Sequence, residues 1–277
     1  MSTIAGCYCP EANSGHAVTP RPDPEKFRLH THAKAELYYF IRGGGIFHIE
    51  GSSYSLEPGD LLVMQPAESH YIELDCSQVY ERKMLHFDMA MLQTVDPKGT
   101  LLGPILDRPP GKQNLYKPYL FRGGSPEHYF DTMLHPEPDP GVSIYAGLVP
   151  LLHEMCAIKR GFAQEPEVAP DTVEYRILRY LNENLTQPIT LQDVCQKFFI
   201  SRSQLCRLFR GATGVTVKHY LTVKRLVHAR QRIEAGEPAT HVYHQCGFND
   251  YSSFYRAYVK YFGAAPSGKP GEKGGLL

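Results

Sequence analysis

The residues of this chain best suited to chemistry are two arginines carried on two copies of one segment. Ser201-Arg202-Ser203-Gln204-Leu205-Cys206-Arg207-Leu208-Phe209 is repeated 49 positions later by Asp250-Tyr251-Ser252-Ser253-Phe254-Tyr255-Arg256-Ala257-Tyr258. Ser201 thereby matches Asp250, Leu205 matches Phe254, Arg207 matches Arg256, and the closing Gly214 matches Gly263. Each copy opens on a residue whose side-chain oxygen accepts from the free N–H groups of a helix's first turn, and each carries apolar residues four apart for packing. Arg207 and Arg256 project from the opposite face. A guanidinium donates two hydrogen bonds to O6 and N7 of guanine. Two short helices of one design, each preceded by another short helix and a tight turn, are what a double helix-turn-helix reader of DNA requires.

The charge distribution agrees. The chain of 277 residues has a net charge of zero, yet residues 1–170 carry 14 Lys plus Arg against 21 Asp plus Glu, and residues 171–277 carry 15 against 8. Clustered positive charge attracts phosphates by releasing condensed counterions, so contact with promoter DNA belongs to the C-terminal part. Seven cysteines, an odd number, without a secretory signal or an apolar run of membrane length, predict a reduced cytoplasmic protein that avoids membranes. Cys7 and Cys9 form a C-x-C pair that would bind metal or sense redox state only with further ligands. Cys195 and Cys206 sit at apolar-periodic helix positions.

These residues need elements to hold them. Residues 1–25 are rich in Pro, Gly and small polar groups and read as a flexible arm. Short alternating runs follow, at 36–41, 45–49, 53–56, 60–64 and 83–87, and predict a sandwich or small barrel over 26–105. A loop-rich stretch and two helices, 126–134 and 142–159, occupy 106–162. The second helix presents Tyr145, Leu148, Leu151, Leu152, Met155 and Ile158 along one face, and Pro150 predicts a kink. That stripe would cover the barrel or pair with a second copy. Residues 163–170 have linker composition. In the reader domain, 171–266, Asp171 with Glu174, Thr190 and Ser201 are the expected caps, and a long helix over 216–235 bridges to the second unit. Residues 267–277 form a tail.

The C-terminal part closely resembles the DNA-binding domain of AraC-type bacterial transcription regulators. The resemblance lies in Leu191-x-Asp-Val194-Cys195, Ser201-x3-Leu205-x-Arg207-Leu-Phe209, Gly214, Tyr220-Leu221, Arg225-Leu226, Ala229, Gly247-Phe248-Asn249-Asp250, Ser253-Phe254-x-Arg256, Phe262-Gly263 and Pro266-Ser267. Tyr243 stands where the family usually has alanine, and Gly268-Lys269 replaces its frequent Tyr-Arg ending. The N-terminal part resembles a cupin. His30-x-His32-x3-Glu36-x6-Gly43 reproduces the first cupin motif, and Pro58-Gly59-Asp60 through Pro66-x3-His70 a shortened second one. In metal-bearing cupins such residues surround one divalent ion. His30 and His32 would share a strand face, and imidazoles with a carboxylate suit Fe, Mn, Ni or Zn. In barrels joined to AraC-type readers the same pattern commonly lines a site for an organic effector, so both chemistries stand. Tyr38 and His48 are expected to line that effector pocket with His30, His32, Glu36 and His70, while Phe40, Met64 and His86 are further wall candidates.

The combined reading is a multidomain α and β protein: a cupin-like barrel with a helical dimerisation segment, then an all-α double helix-turn-helix domain. Its partners would be promoter DNA, a small-molecule effector, a second copy of itself and RNA polymerase. Ser203, Gln204, Cys206 and Arg207 would face bases from the first unit, and Tyr251, Ser252, Tyr255 and Arg256 from the second. Arg202 and Arg210, with Lys197 and Lys218, would hold phosphates. The rival readings are a metal-dependent cupin enzyme with a DNA-binding appendage, and a metal or redox sensor.

Overall fold

Strand alternation decides how the N-terminal half is layered. In β3 (Ala35–Arg42), Leu37 and Tyr39 point to one side while Glu36, Tyr38 and Phe40 point to the other, and all are buried. A strand buried on both faces must lie in the middle of a sheet. The computed structural model, which describes residues 2–27, 29–162, 172–213, 215–234, 236–262 and 264–266, places it so. β3 lies between β6 (Leu61–Met64) and β8 (Tyr80–Phe87) in a six-stranded sheet that also holds β1 (Ser2–Tyr8), β2 (Ala12–Thr19) and β9 (Leu115–Tyr116), in the order β1-β2-β8-β3-β6-β9. β4 (Gly45–Ile49), flanked by β5 (Ser52–Ser55) and β7 (His70–Leu74), makes a second, three-stranded sheet. Tyr38, Phe40, Leu62, Met64 and Tyr80 of the first sheet and Phe47, Ile49 and Ile72 of the second form one core, which is the barrel interior.

The other face of the large sheet is covered by helices. After a single turn, α1 (Gly103–Leu106), come α2 (Glu127–Met133) and α3 (Pro140–Phe162). Ile144, Leu148, Leu151, Leu152 and Met155 of α3 are fully buried with Leu37, Tyr39, Leu85 and Phe87. The apolar stripe thus covers the barrel. Pro150 lies inside this helix, at its middle turns. Contrary to the expectation from composition, one helix, Pro140–Gly161, is long and apolar enough to cross a membrane. Its buried stripe makes it a core helix of the barrel unit.

The expected flexible arm is also corrected. Residues 2–8 and 12–19 are strands, and β2 pairs with β8 along its whole length, Ala12 opposite Phe87 to Thr19 opposite Tyr80. Small residues such as Ala12, Ser14 and Ala17 have weak strand propensity, and the neighbouring strand holds them. Pairing of β9 with β6 likewise carries the barrel beyond residue 105.

The second compact unit is helical: α4 (Val173–Glu183), α5 (Leu191–Phe198), α6 (Arg202–Thr213), α7 (Val217–Glu234), α8 (Ala239–Gln245) and α9 (Tyr251–Phe262). Thr190 and Asp193 form a reciprocal cap at the start of α5. Phe209 meets Tyr220 edge-on in the first half, and Leu226, Ala229, Val242, Cys246, Phe254 and Tyr258 form the core of the second. Asp171, Gly214, Gly263 and residues 163–170 and 267–277 lie outside the described residues.

Candidate nucleic-acid interface and barrel cluster

The two candidate reader helices keep the spacing of the sequence repeat: α6 and α9 both have 12 residues, and both begin and end 49 positions apart. Each turns its apolar stripe inward, Leu205 and Phe209 in α6, Phe254 and Tyr258 in α9. Helical geometry then sends the residues between them outward. Arg202, Ser203, Gln204, Cys206, Arg207 and Arg210 are exposed on α6, and Ser252, Tyr255 and Arg256 on α9, with Tyr251 half-buried. Every residue assigned to the DNA surface from the repeat is therefore solvent-facing at least in part. Cys206 belongs to this surface, and Cys195 is half-buried.

The caps differ in what they leave for DNA. Ser201 accepts from the Gln204 backbone N–H at 3.2 Å, and the Gln204 side-chain oxygen accepts from the Ser201 N–H at 2.9 Å. The Gln204 oxygen is thus engaged in a capping box, leaving its amide N–H groups as donors. In the second unit Asp250 accepts from the Ser253 N–H at 2.7 Å, and that bond, with a smaller contribution from the Arg256 charge, holds its carboxyl below the usual range. Tyr243, the bulky departure from the family, is taken into an aromatic group. Its ring meets Tyr251 edge-on at 5.5 Å and lies 6.3 Å from Phe254. Tyr251 is thereby drawn toward the protein, while α6 presents no aromatic at its matching position.

Several basic residues are structural. Arg225 on α7 donates from Nε to the Leu185 carbonyl and from its terminal nitrogen to the Gln187 carbonyl, at 2.8 and 2.7 Å. Arg230 lies over Phe262 and Lys197 over Tyr180, while Arg232 pairs with Glu237. Arg202, Arg207, Arg210, Lys218 and Arg256 remain as exposed cations on or beside the reader helices.

In the barrel, Glu36 is a buried carboxylate facing imidazoles. His70 Nε2 is 3.2 Å from its Oε2, and His86 Nε2 is 3.5 Å away. His30 and His70 exchange backbone hydrogen bonds at 3.0 Å, and their rings meet edge-on with centroids 4.4 Å apart. His70 Nδ1 donates to the Glu68 carbonyl at 2.8 Å, which turns Nε2 toward Glu36. Glu68 itself is fixed by buried Arg108, at 2.6 Å, and by the Gly111 N–H. Burial lowers the His70 pKa, but hydrogen bonding and charge from Glu36, aided by Glu68, outweigh it and leave the value raised. The Glu36 carboxylate is thus approached by two imidazole nitrogens, of His70 and of His86, within the barrel unit. Imidazole and carboxylate donors at that spacing fit a divalent ion.

Three expectations for this cluster change. His30 and His32 share no strand face, because His30 makes only an isolated bridge to His70 and 31–34 lies outside the named strands. His48 is not in the cluster. Phe47 and Ile49 take the inward positions of β4, so His48 points outward, stacks on Tyr71 at 4.4 Å and accepts or donates with Ser53 at 3.0 Å. His86, foreseen only as wall, stands opposite Glu36 across the β3–β8 pairing. No sequence signal announces that register. Tyr38 is inside the barrel, hydrogen-bonded to Tyr80, and burial lifts its pKa well above the usual phenol value. Cys7 is buried in the core and burial raises its thiol pKa, which leaves it poorly suited to ligation or redox chemistry with Cys9.

Comparison with known proteins follows the same division. Residues 17–115 match the AraC-like ligand binding domain, and residues 194–268 match a helix-turn-helix domain. The HTH-type transcriptional activator RhaR of Yersinia pestis bv. Antiqua (strain Angola) is 26% identical over 262 residues, covering 90% of this chain and 87% of RhaR. The probable transcriptional regulator LumQ of Photobacterium leiognathi is 30% identical over 114 residues, 40% of this chain and 46% of LumQ. Among solved structures, ToxT from Vibrio cholerae O395 aligns over 93% of this chain and 96% of its own at 11% identity, with a TM-score of 0.38.

Proposed function

The chain belongs to the AraC-type transcription regulators, a ligand-binding domain joined to a helix-turn-helix DNA-binding domain, and from that premise we propose a cytoplasmic, effector-responsive regulator in which α6 dominates operator choice. The observation that carries this reading is the contrast between the exposed polar row of α6, with Arg207 at its centre, and the aromatic group that holds Tyr251 on α9. Arg207 reads guanine through two hydrogen bonds. Arg202, Arg210 and Lys218 bind phosphates and set register. The effector sits against Glu36, His70, His86 and Tyr38, where buried polar groups discriminate strongly between ligands that pair with them and those that do not. RhaR is by name an activator, and activation through RNA polymerase is the proposed direction. Homodimerisation through the helices of 126–162 would use the outward side of α3, where Val142 is exposed, because the inward stripe belongs to the core.

The test is selection of a duplex from a random library by the full-length chain, followed by binding of Arg207→Ala and Arg256→Ala to operator variants. Loss of discrimination at one base pair from Arg207→Ala alone supports the reading. Equal loss from both, at unchanged stability, overturns the dominance of α6. For the effector, Glu36→Gln should abolish the response to inducer while leaving operator affinity in place. A retained response would move the effector elsewhere.

The approach of His70 and His86 to the Glu36 carboxylate favours a second reading, in which the effector is a divalent metal ion or is held through one. A bound ion would supply a positive centre for an oxygen-bearing ligand. Metal analysis of protein purified without chelator tests it, with one equivalent of metal per chain expected and none refuting it.

A further inference from the structure

Among the described residues, the most exposed large apolar side chain is Phe199, at 95% exposure, in the turn that leads into α6. Its backbone is left-handed, with φ 54° and ψ 41°, a conformation that glycine adopts freely and a branched or bulky residue avoids. The matching turn of the second unit shows what the geometry alone requires. Both turns close with the same long-range bond, Ile200 N–H to the Cys195 carbonyl and Phe248 N–H to the Tyr243 carbonyl, each 3.1 Å. In the second, the left-handed position is Gly247, φ 81°. The apolar contact such a turn uses comes from the following residue. Phe248 makes it in the second unit by packing on Phe254 at 5.2 Å, and half-buried Ile200 occupies that place in the first. The Phe199 backbone N–H caps α5, but its side chain serves neither the turn nor the core, and the residue keeps a disfavoured backbone.

Strain and exposure combined at one residue of a binding surface point to a role in binding. Phe199 lies three positions before Arg202, and the exposed residues around it, Gln196, Lys197, Ser201 and Arg202, are polar or basic. Those neighbours suit a phosphate-lined groove better than a protein surface. A helix-turn-helix reader enters the major groove with the N-terminal end of its second helix foremost, so the turn just before that end reaches the groove too. The one apolar group that base edges present there is the C5-methyl of thymine. We propose that Phe199 reads a thymine methyl beside the bases contacted by α6.

This inference rests on α6 being the groove helix, and the experiment separates the two. The full-length chain selects a duplex from a random library, and each thymine is then replaced in turn by deoxyuridine, which removes only the methyl. At one position the wild-type protein should lose about 3- to 10-fold in affinity. Phe199→Gly should bind the parent duplex more weakly by the same factor and be indifferent to that methyl, while its thermal midpoint rises by about 4 °C as the strain is relieved. Phe199→Leu should keep part of the methyl effect. Failure to select any duplex would overturn the reading of α6 and this inference with it. A selected duplex on which wild type and Phe199→Gly respond alike to every methyl overturns the Phe199 role alone. If such a variant also lost activation in a reconstituted transcription assay, the ring would be a polymerase contact instead.

Discussion

The two helix-turn-helix units share a backbone plan and differ in what they offer to a partner. Their reader helices match in length and offset, and both bury two apolar residues four positions apart. Around that plan the first unit has a reciprocal Ser201–Gln204 cap, a left-handed phenylalanine in its turn and an open polar face. The second has a one-sided aspartate cap, a left-handed glycine and a face partly covered by its own aromatic group. Repetition of a helical pattern thus repeats a scaffold, whereas the surface it presents depends on a few side chains beside it.

The largest effect should come from removing what the units have in common. Arg225 on α7 ties the Leu185 and Gln187 carbonyls and packs beside Gly247, so it braces both units at once. Arg225→Ala should destabilise the helical unit by about 3 kcal/mol, the loss of two charge-assisted bonds. Denaturant unfolding checks this, and a loss under about 1 kcal/mol would mean that the units stand without the brace.

Operator binding separates them next. Arg207→Ala should lower specific binding by about 5- to 150-fold, equivalent to about 1–3 kcal/mol, and relax one base preference. Arg256→Ala should cost less and act on all sequences alike. A binding titration against an operator library distinguishes these outcomes, and the comparison collapses if the two variants behave identically.

The turns should then respond with opposite signs. Gly247→Ala places a Cβ 2.8 Å from Arg225 Nε at a positive φ, and should destabilise by about 1–2 kcal/mol. Phe199→Gly should stabilise by about 1 kcal/mol. Thermal unfolding of both variants reads the signs directly.

The smallest effect is on pH. Burial, with the neighbouring Arg232 charge, lowers the His228 pKa on α7 below its ordinary value. Between the folded and unfolded pKa values the unfolded chain binds more protons, so stability rises with pH. The helical unit should therefore weaken as pH falls below about 6.5, and His228→Gln should flatten that dependence. A dependence unchanged in the variant would place the titration elsewhere.

Much of the reader domain was legible because its information is local. Capping residues, a stripe repeating every three to four positions and an arginine on the far face specify a helix and its orientation without reference to the rest of the chain. The barrel is legible where apolar residues run or alternate between Gly and Pro breaks, as in 36–41, 45–49 and 60–64. β1 and β2 have no such pattern, since their small residues become strands only through pairing, β2 with β8 and β1 with β2. The side taken by His48 is not legible, because the same alternation admits two faces and only the packing of Phe47 and Ile49 chooses one.

From sequence alone came the two-part plan, the charge split between its halves, the pair of reader helices and the residue types gathered toward a barrel cluster. Tertiary structure decided which imidazoles meet Glu36, that the α3 stripe covers the barrel, that Tyr243 draws in Tyr251, and that Phe199 stands exposed in a strained turn. The division has a physical basis. Helix signals act over three or four residues along one chain segment, whereas strand register, side-chain facing and aromatic packing depend on partners that sequence separation does not reveal.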